Sequence, residues 1–356
     1  RQRQMCIRDR VNVTYSYQNA DTTAYDPAVL GVTSPAASAG LAWRINNSAA
    51  VGFEVLPLGL GTAQNYYGAP VELVPNVFSA MDITKKEVTA RLGFGGSYRF
   101  LRKFTIGGSF IFTTERTSIQ LKNAGTDRTV IEASYAGKSF QPVFGLRADL
   151  GYGIIFAGSY RMSVTRGYSG TLAINAASQG SPEAFQSGDF SGKAFDPAAL
   201  GLGLEWRYRS FGVFGDFSHK FWAAGRAISK SGLGASPDEV DLVDTNDFVL
   251  GGKYSLGADH LLQIAIGSNG ANIGDGDLRN TETNVRSTGG VQLGQTEAIA
   301  RMILSGGYTF KFAPGKQLQA AVMLLNGRRE VPEGYSQAGS YKLQAFITSL
   351  GASFAL

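Results

Sequence analysis

The 356-residue chain has no run of about eighteen consecutive apolar residues, so its sequence offers no membrane-spanning helix. That excludes crossing by helices and leaves crossing by strands open. Cysteine is nearly absent. With Cys6 as the single thiol, there is no disulfide framework and no cysteine metal site, and an oxidising compartment is permitted. Histidine is scarce too. His219 and His260 stand far apart, and neither has a Cys or His neighbour that would complete a metal-ligand spacing. No Gly-x-Ser-x-Gly stretch marks a nucleophile elbow. Gly201-Leu202-Gly203 lies inside a strand pattern and opens no helix, so it is no dinucleotide site. Charge is weakly unbalanced. Residues 1–10 show no alternation, contain Cys6 and resemble translated sequencing-adapter sequence, so they read as a non-native segment. Setting aside their four Arg and one Asp lowers the formal charge from +5 to +2. A charge so small argues weakly for a nucleic-acid or anionic-membrane partner.

What the sequence has in abundance is alternation. From Val88 to Phe100, Val88, Ala90, Leu92, Phe94, Tyr98 and Phe100 share one face, and Thr89, Arg91, Gly93, Gly95, Ser97 and Arg99 share the other. After Leu101, Arg102 and Lys103 the split resumes, with Phe104, Ile106, Phe110 and Phe112 against Thr105, Gly107, Ser109 and Thr113. Side chains alternate faces along a strand, so this is a period-two pattern sustained across a hairpin. Strands in soluble sheets usually run about 5–6 residues. Longer strands with one apolar face and one face of Gly, Ser, Thr and Arg suit a barrel with lipid outside and water inside. Mean hydropathy near zero, at −0.05, does not oppose this, because alternating strands average to such a value.

The same pattern recurs from Val11 to Leu356. Clear instances are Leu41, Trp43 and Ile45 with the return Val51, Phe53 and Val55; Phe144 to Leu150 with Ile154 to Met162; Leu200 to Tyr208 with Phe211 to Phe217; and Phe248 to Leu256 with Leu262 to Ser268. The last three strands read as Ala298 to Phe312, Gln317 to Leu325 and Tyr341 to Leu356. Tight turns alternate with long polar stretches. Gly61 to Lys86 reads as a loop with a short helix, and Glu115 to Lys138, the Gly/Ser-rich stretch ending at Asp196, and Asn269 to Glu297 read as further loops. The count is fourteen strands. An even count with short turns at one rim and long loops at the other predicts an all-β, transmembrane antiparallel up-and-down β-barrel spanning 11–356. Closure would leave no sheet edge exposed to lipid. Trp43, Tyr98, Phe100, Trp206, Tyr208, Tyr254, Tyr308 and Phe310 gather beside the short turns, as an interfacial aromatic belt would.

Two groups of residues carry functional possibilities. Val71, Leu73, Val74, Val77, Phe78 and Met81 make the connection from Gly61 to Lys86 unusually apolar for a loop. A patch of this kind takes a ligand or packs on itself as a lid. Facing the lumen are Arg44, Glu54, Arg91, Arg99, Arg147, Asp149, Arg161, Glu205, Arg207, Asp216, Lys253 and Arg301. Their ordinary role is an ion-pair network bracing the wall. Their functional role would be to meet a substrate carboxylate, which a planar Arg fork suits. Asn269 to Asp277 lacks the spaced acids and closing Glu of an EF-hand loop and reads as a Gly-rich turn.

Three hairpins carry a likeness to a known family. Gly40 to Gly61, Phe144 to Leu172 with Gly158-Ser159-Tyr160-Arg161, and Pro197 to Trp222 with Asp216 and Phe221-Trp222 resemble the FadL/TodX family of outer-membrane transporters. The resemblance implies passive uptake of long-chain fatty acids or other hydrophobic compounds across a Gram-negative outer membrane, by a monomer without a cofactor or metal. It implies ligand capture in an apolar groove of the extracellular loops, for which Leu73, Val74, Val77, Phe78 and Met81 stand here. It also implies an inward kink in the third strand that opens the wall sideways, placed at Pro57, Gly59 and Gly61. The family's N-terminal hatch has no counterpart in the sequence and reads as missing. The final strand, with Gly351, Phe354 and Leu356, resembles an outer-membrane assembly signal that more often ends in Phe. A general porin for small polar solutes is the first rival reading, and an outer-membrane lipase the second.

Overall fold

A computed structural model describes residues 2–19, 28–32, 39–63, 71–74, 77–79, 81–101, 103–123, 129–175, 185–225, 227–228, 230–231, 238–271, 273–280, 286–287, 300–314, 316–331 and 339–355. Eighteen antiparallel segments make one sheet. Three of them prolong a neighbour in line: Ala28–Val32 leads to Ala39–Arg44, Val164–Asn175 follows Ile154–Arg161, and Phe185–Asp196 leads to Ala199–Tyr208. A fourth, Lys230–Ser231, borders Phe185–Asp196. Eighteen less four leaves fourteen barrel strands, the number the sequence predicts. They are β1 (Gln2–Asn19), β2 (Ala39–Arg44), β3 (Ala49–Ala63), β4 (Met81–Phe100), β5 (Phe104–Asn123), β6 (Thr129–Gly151) and β7 (Ile154–Arg161) in the first half. The second half holds β8 (Ala199–Tyr208), β9 (Phe211–Lys220), β10 (Thr245–Leu256), β11 (His260–Asn269), β12 (Arg301–Ala313), β13 (Lys316–Val331) and β14 (Gly339–Ala355).

Each strand pairs with the next, and the two ends of the series meet. β1 pairs with β2 through Arg3↔Leu41 and with β14 through Gln2↔Ala355. The backbone of residues 2–10, read from sequence as non-native, is therefore part of the closing strand. Among the described residues, closure gives each of the fourteen barrel strands two neighbours.

Short turns bring the hairpins together at one rim. Between β2 and β3, the Asn46 carboxamide oxygen accepts the Ser48 and Ala49 N–H groups at 2.8 and 2.7 Å, an Asx turn. Between β6 and β7 the chain reverses through Gly151 and Gly153, at φ +85° and +78°, where a side chain would be strained.

Curvature and chemistry divide the wall into two faces. Outward positions splay apart. Phe94 is 60% exposed, Leu250 60% and Ile264 63%. Inward positions converge, so Thr113, Thr117, Ser139, Thr245 and Thr309 are buried although polar. An apolar belt exposed on every strand from β2 to β14 far exceeds the few hundred Å² that a soluble monomer shows in one patch. It matches the lipid-facing surface of a membrane barrel.

The long connections differ from their sequence reading, because strands continue into them. Gly61 to Lys86 contains no described helix. β3 runs on to Ala63, β4 begins at Met81, and Val71–Val74 and Val77–Ser79 form a small hairpin. Of Glu115 to Lys138, the described residues, 115–123 and 129–138, are all strand. The Gly/Ser-rich stretch before Asp196 is the paired extension of β7 and β8, joined from Val164↔Asp196 to Asn175↔Phe185. Within Asn269 to Glu297, Ile273–Asn280 pairs with Asp238–Leu242 in a separate four-stranded sheet. Backbone pairing outlasts the hydrophobic alternation here: beyond the belt neither face needs to be apolar, so the period-two signal fades while the ladder continues.

Candidate functional site

The lumen wall is lined by small residues. Gly93 and Gly95 on β4, Gly107 on β5, Gly145 on β6, and Gly201 and Gly203 on β8 all occupy inward positions in register. Without side chains there, inward neighbours lean over the glycines: a Cβ on Gly95 would stand 2.7 Å from Ser109 Cβ, and one on Gly201 2.6 Å from Ser159 Oγ.

On the strands from β8 to β10 these charges are mostly paired. Glu205 takes a bidentate pair from Arg207, whose Nη2 donates to Oε2 at 2.9 Å, and a second ion pair from Lys253. Lys253 reaches it from β10 across Gly212, the residue in register between Arg207 and Lys253. Nearer the long loops Lys220 pairs with Asp247 at 2.8 Å. Farther along the extended wall, Arg166 joins Glu115 and Asp196, the latter at 3.1 Å. Thr117, fully buried, donates its hydroxyl to Glu115 at 3.2 Å. Asp216 leans over its neighbour, so that a Cβ on Gly203 would stand 2.6 Å from its Oδ1.

From β2 to β7 the inward cations are different. Arg44, Arg91, Arg99, Arg147 and Arg161 have no ion pair or side-chain hydrogen bond among the described residues. Arg161 holds its Nε buried and unbonded at the point where β6 passes from β7 to the Val164–Asn175 extension. Among the described residues, ion pairs therefore gather on β8 to β10 and around Arg166, and these five arginines stand outside them. Arg301, in register between Asn269 and Gly327, does not belong with these free cations, because it has a partner.

The wall is interrupted in its third strand. Leu56 pairs with Arg91 and Gly59 with Thr89, so Pro57 and Leu58 stand opposite Ala90 alone. An extra residue bends and twists a strand, and Pro57 brings no N–H to the ladder. Gly61 then resumes regular pairing with Glu87. Sequence reasoning set the interruption at Pro57, Gly59 and Gly61, and the register shift falls on the first part of that stretch. Leu73, Val74, Val77, Phe78 and Met81 lie on the small hairpin and the start of β4. Their side chains fall outside the described set.

The two histidines are not brought together. The His219 ring nitrogen Nδ1 lies 2.8 Å from Asn246 Oδ1, at the long-loop end of β9. His260 Nδ1 lies 2.6 Å from the Tyr308 hydroxyl, beside the short turn that opens β11. The sequence offered no sign of one further feature. Outward Gly215, set between Leu204 and Leu250, leaves an apolar groove of about 690 Å³ on the outside of the wall, flanked by Leu202, Phe217 and Phe248.

No family model and no curated protein matches the chain. Solved structures do. The Pseudomonas putida toluene transporter TodX superposes with a TM-score of 0.70 at 14% identity, covering 100% of this chain and 90% of that one. A Pseudomonas aeruginosa FadL homologue gives 0.69 at 11%, covering 99% and 89%. The Ralstonia pickettii toluene transporter TbuX gives 0.66 at 13%, covering 99% and 90%. At such identities the likeness is one of fold, and the protein is a fourteen-stranded barrel of the FadL/TodX fold.

Proposed function

We propose that the protein sits in the outer membrane of a Gram-negative bacterium as a monomer. There it passes hydrophobic small molecules, long-chain fatty acids or hydrocarbons, inward without an energy source or cofactor. The observation that carries this reading is the bulge at Pro57–Leu58, which, among the register shifts of the described barrel strands, is the one that falls on a proline. A hydrophobic permeant gains about 0.8 kcal/mol per CH₂ by staying out of water, so a sideways exit toward lipid serves it better than an aqueous mouth. A polar solute has no use for such an exit. In this reading Leu73, Val74, Val77, Phe78 and Met81 capture the permeant, and the strand at Pro57, Gly59 and Gly61 releases it. The fold relatives named as toluene transporters and as a FadL homologue point the same way.

The chain refolded in detergent is expected to bind a fluorescent long-chain fatty acid saturably. Val77→Asp/Phe78→Asp should raise Kd at least tenfold, since two charges would face the acyl chain. Proteoliposomes without gradient or nucleotide should fill to equilibrium and no further. Absence of binding together with large conductance to small ions in a planar bilayer would replace this reading with a general porin.

A further inference from the structure

The free arginines are not scattered evenly. Arg99 on β4, Thr105 on β5 and Arg147 on β6 stand in one row across three neighbouring strands, each directly in register with the next. Strands lie about 4.8 Å apart, so the two arginine Cα atoms are about 10 Å apart with the threonine between them. That separation lets two long guanidinium arms close over the Thr105 hydroxyl from either side. The adjoining inward row is Ser97, Gly107 and Gly145, so the wall itself puts no large side chain beside the forks. Both arginines are exposed to the lumen, and neither guanidinium has a partner among the described residues.

Counter-charges near the row are engaged or distant. Asp149, two residues along β6 from Arg147, accepts the Gly151 N–H at 3.1 Å and acts electrostatically on Arg207 of β8, and it makes no ion pair with Arg147. Asp216 belongs to the same row but lies three strands on from Arg147, beyond Ala157 and Gly203. Glu205 is held by Arg207 and Lys253. Two uncompensated guanidinia flanking a hydroxyl, with small residues beside them, make a fork suited to an oxyanion. Guanidinium forks match carboxylate and phosphate oxygens, and charged hydrogen bonds of this kind are about twice as strong as neutral ones.

We infer that Arg99, Thr105 and Arg147 form an anion-binding station inside the short-turn mouth of the barrel, one that takes a carboxylate or phosphate-type oxyanion. The anion is either the head group of an amphipathic permeant or a free small ion. The first source rests on the transport reading above, and the second does not. The station discriminates where the rest of the wall does not: a carboxylic acid is held on its way through, and its neutral ester or a plain hydrocarbon is not.

The test compares a fluorescent fatty acid with its methyl ester on the refolded chain, using wild type, Arg99→Gln/Arg147→Gln and the charge-keeping Arg99→Lys/Arg147→Lys. Heat-modifiable migration on gels checks that each variant has folded. Wild type is expected to bind the acid at least tenfold more tightly than the ester. The glutamine pair should abolish that preference and leave ester binding unchanged, and the lysine pair should restore part of it. Equal affinity for acid and ester in wild type, or a preference that survives in the glutamine pair, overturns the station while leaving hydrophobic transport intact. Carboxyl-¹³C acetate, which has no hydrophobic tail, is examined alongside by line broadening. Broadening by wild type but not by the glutamine pair supports the station even if neither lipid binds, an outcome that would remove only the transport reading. Competition of inorganic phosphate with acetate identifies a site for free oxyanions; broadening that phosphate does not relieve identifies a carboxylate site. If neither lipid binds and acetate is not broadened, station and transport reading fall together.

Discussion

Two stretches of one lumen wall, built from the same strand pattern, treat their charges in opposite ways. On β8 to β10, and where Arg166 reaches Glu115 and Asp196, cations sit among carboxylates and are held by them. From β2 to β7, five arginines occupy equivalent inward positions and hold nothing among the described residues. The first arrangement braces the wall. The second keeps charge available, at the cost of mutual repulsion and idle hydrogen-bonding capacity. Substitutions on the two sides should therefore differ in kind: stability should suffer where charges are paired, and binding where they are free.

The largest stability effect is expected at Arg166. Its side chain is 17% exposed and bridges Glu115 and Asp196. Arg166→Met would leave two carboxylates close together without their cation. Breaking a buried pair costs about 3–5 kcal/mol, and partial exposure here reduces that to about 2–3 kcal/mol. Urea unfolding in lipid vesicles, followed by the fluorescence of Trp43, Trp206 and Trp222, measures it. A change below about 0.5 kcal/mol would show that the triad braces nothing.

A smaller effect is expected at Glu205. Glu205→Gln keeps the shape but leaves Arg207 and Lys253 facing one another across Gly212. The loss should be about 1–2 kcal/mol, because Arg207 is half exposed and water screens it. Here salt has a clear sign. Raising ionic strength toward about 1 M, where the Debye length is about 3 Å, should reduce the repulsion between the two cations and narrow the gap to wild type.

Much of this division was hidden in the sequence. Alternation made the barrel and its fourteen strands legible, since each hairpin within the belt must show one face to lipid. It could not mark where strands end. Past the belt the signal weakens: in the ladder between Val164–Asn175 and Phe185–Asp196 the first strand keeps only a stripe broken by Arg166 and Gly170, and the second has none. The inward charges were legible one by one for the same reason. Which of them pair was not, because Lys253 reaches Glu205 over an intervening strand and Arg166 lies fifty-one residues from Glu115. The interruption at Pro57 was legible, because proline in a strand interior already says that a ladder bond is missing. The small hairpin of Val71–Val74 and Val77–Ser79 was not. Two segments of four and three residues are too short to show a period.

The smallest stability effect is expected at Arg99, and it is the one that separates the two regions most sharply. Arg99→Gln removes a guanidinium that has no partner, so no carboxylate is left uncompensated and no bond is broken. Like charge on Arg147, across Thr105, is relieved at the same time. Unfolding in the same vesicles should shift by less than about 0.5 kcal/mol, the usual range for a substitution away from special features. A loss as large as that of Arg166→Met would mean that Arg99 braces the wall after all, and the contrast between the two regions would disappear. A neutral or slightly stabilising result would mean that the wall keeps Arg99 for something other than its own stability.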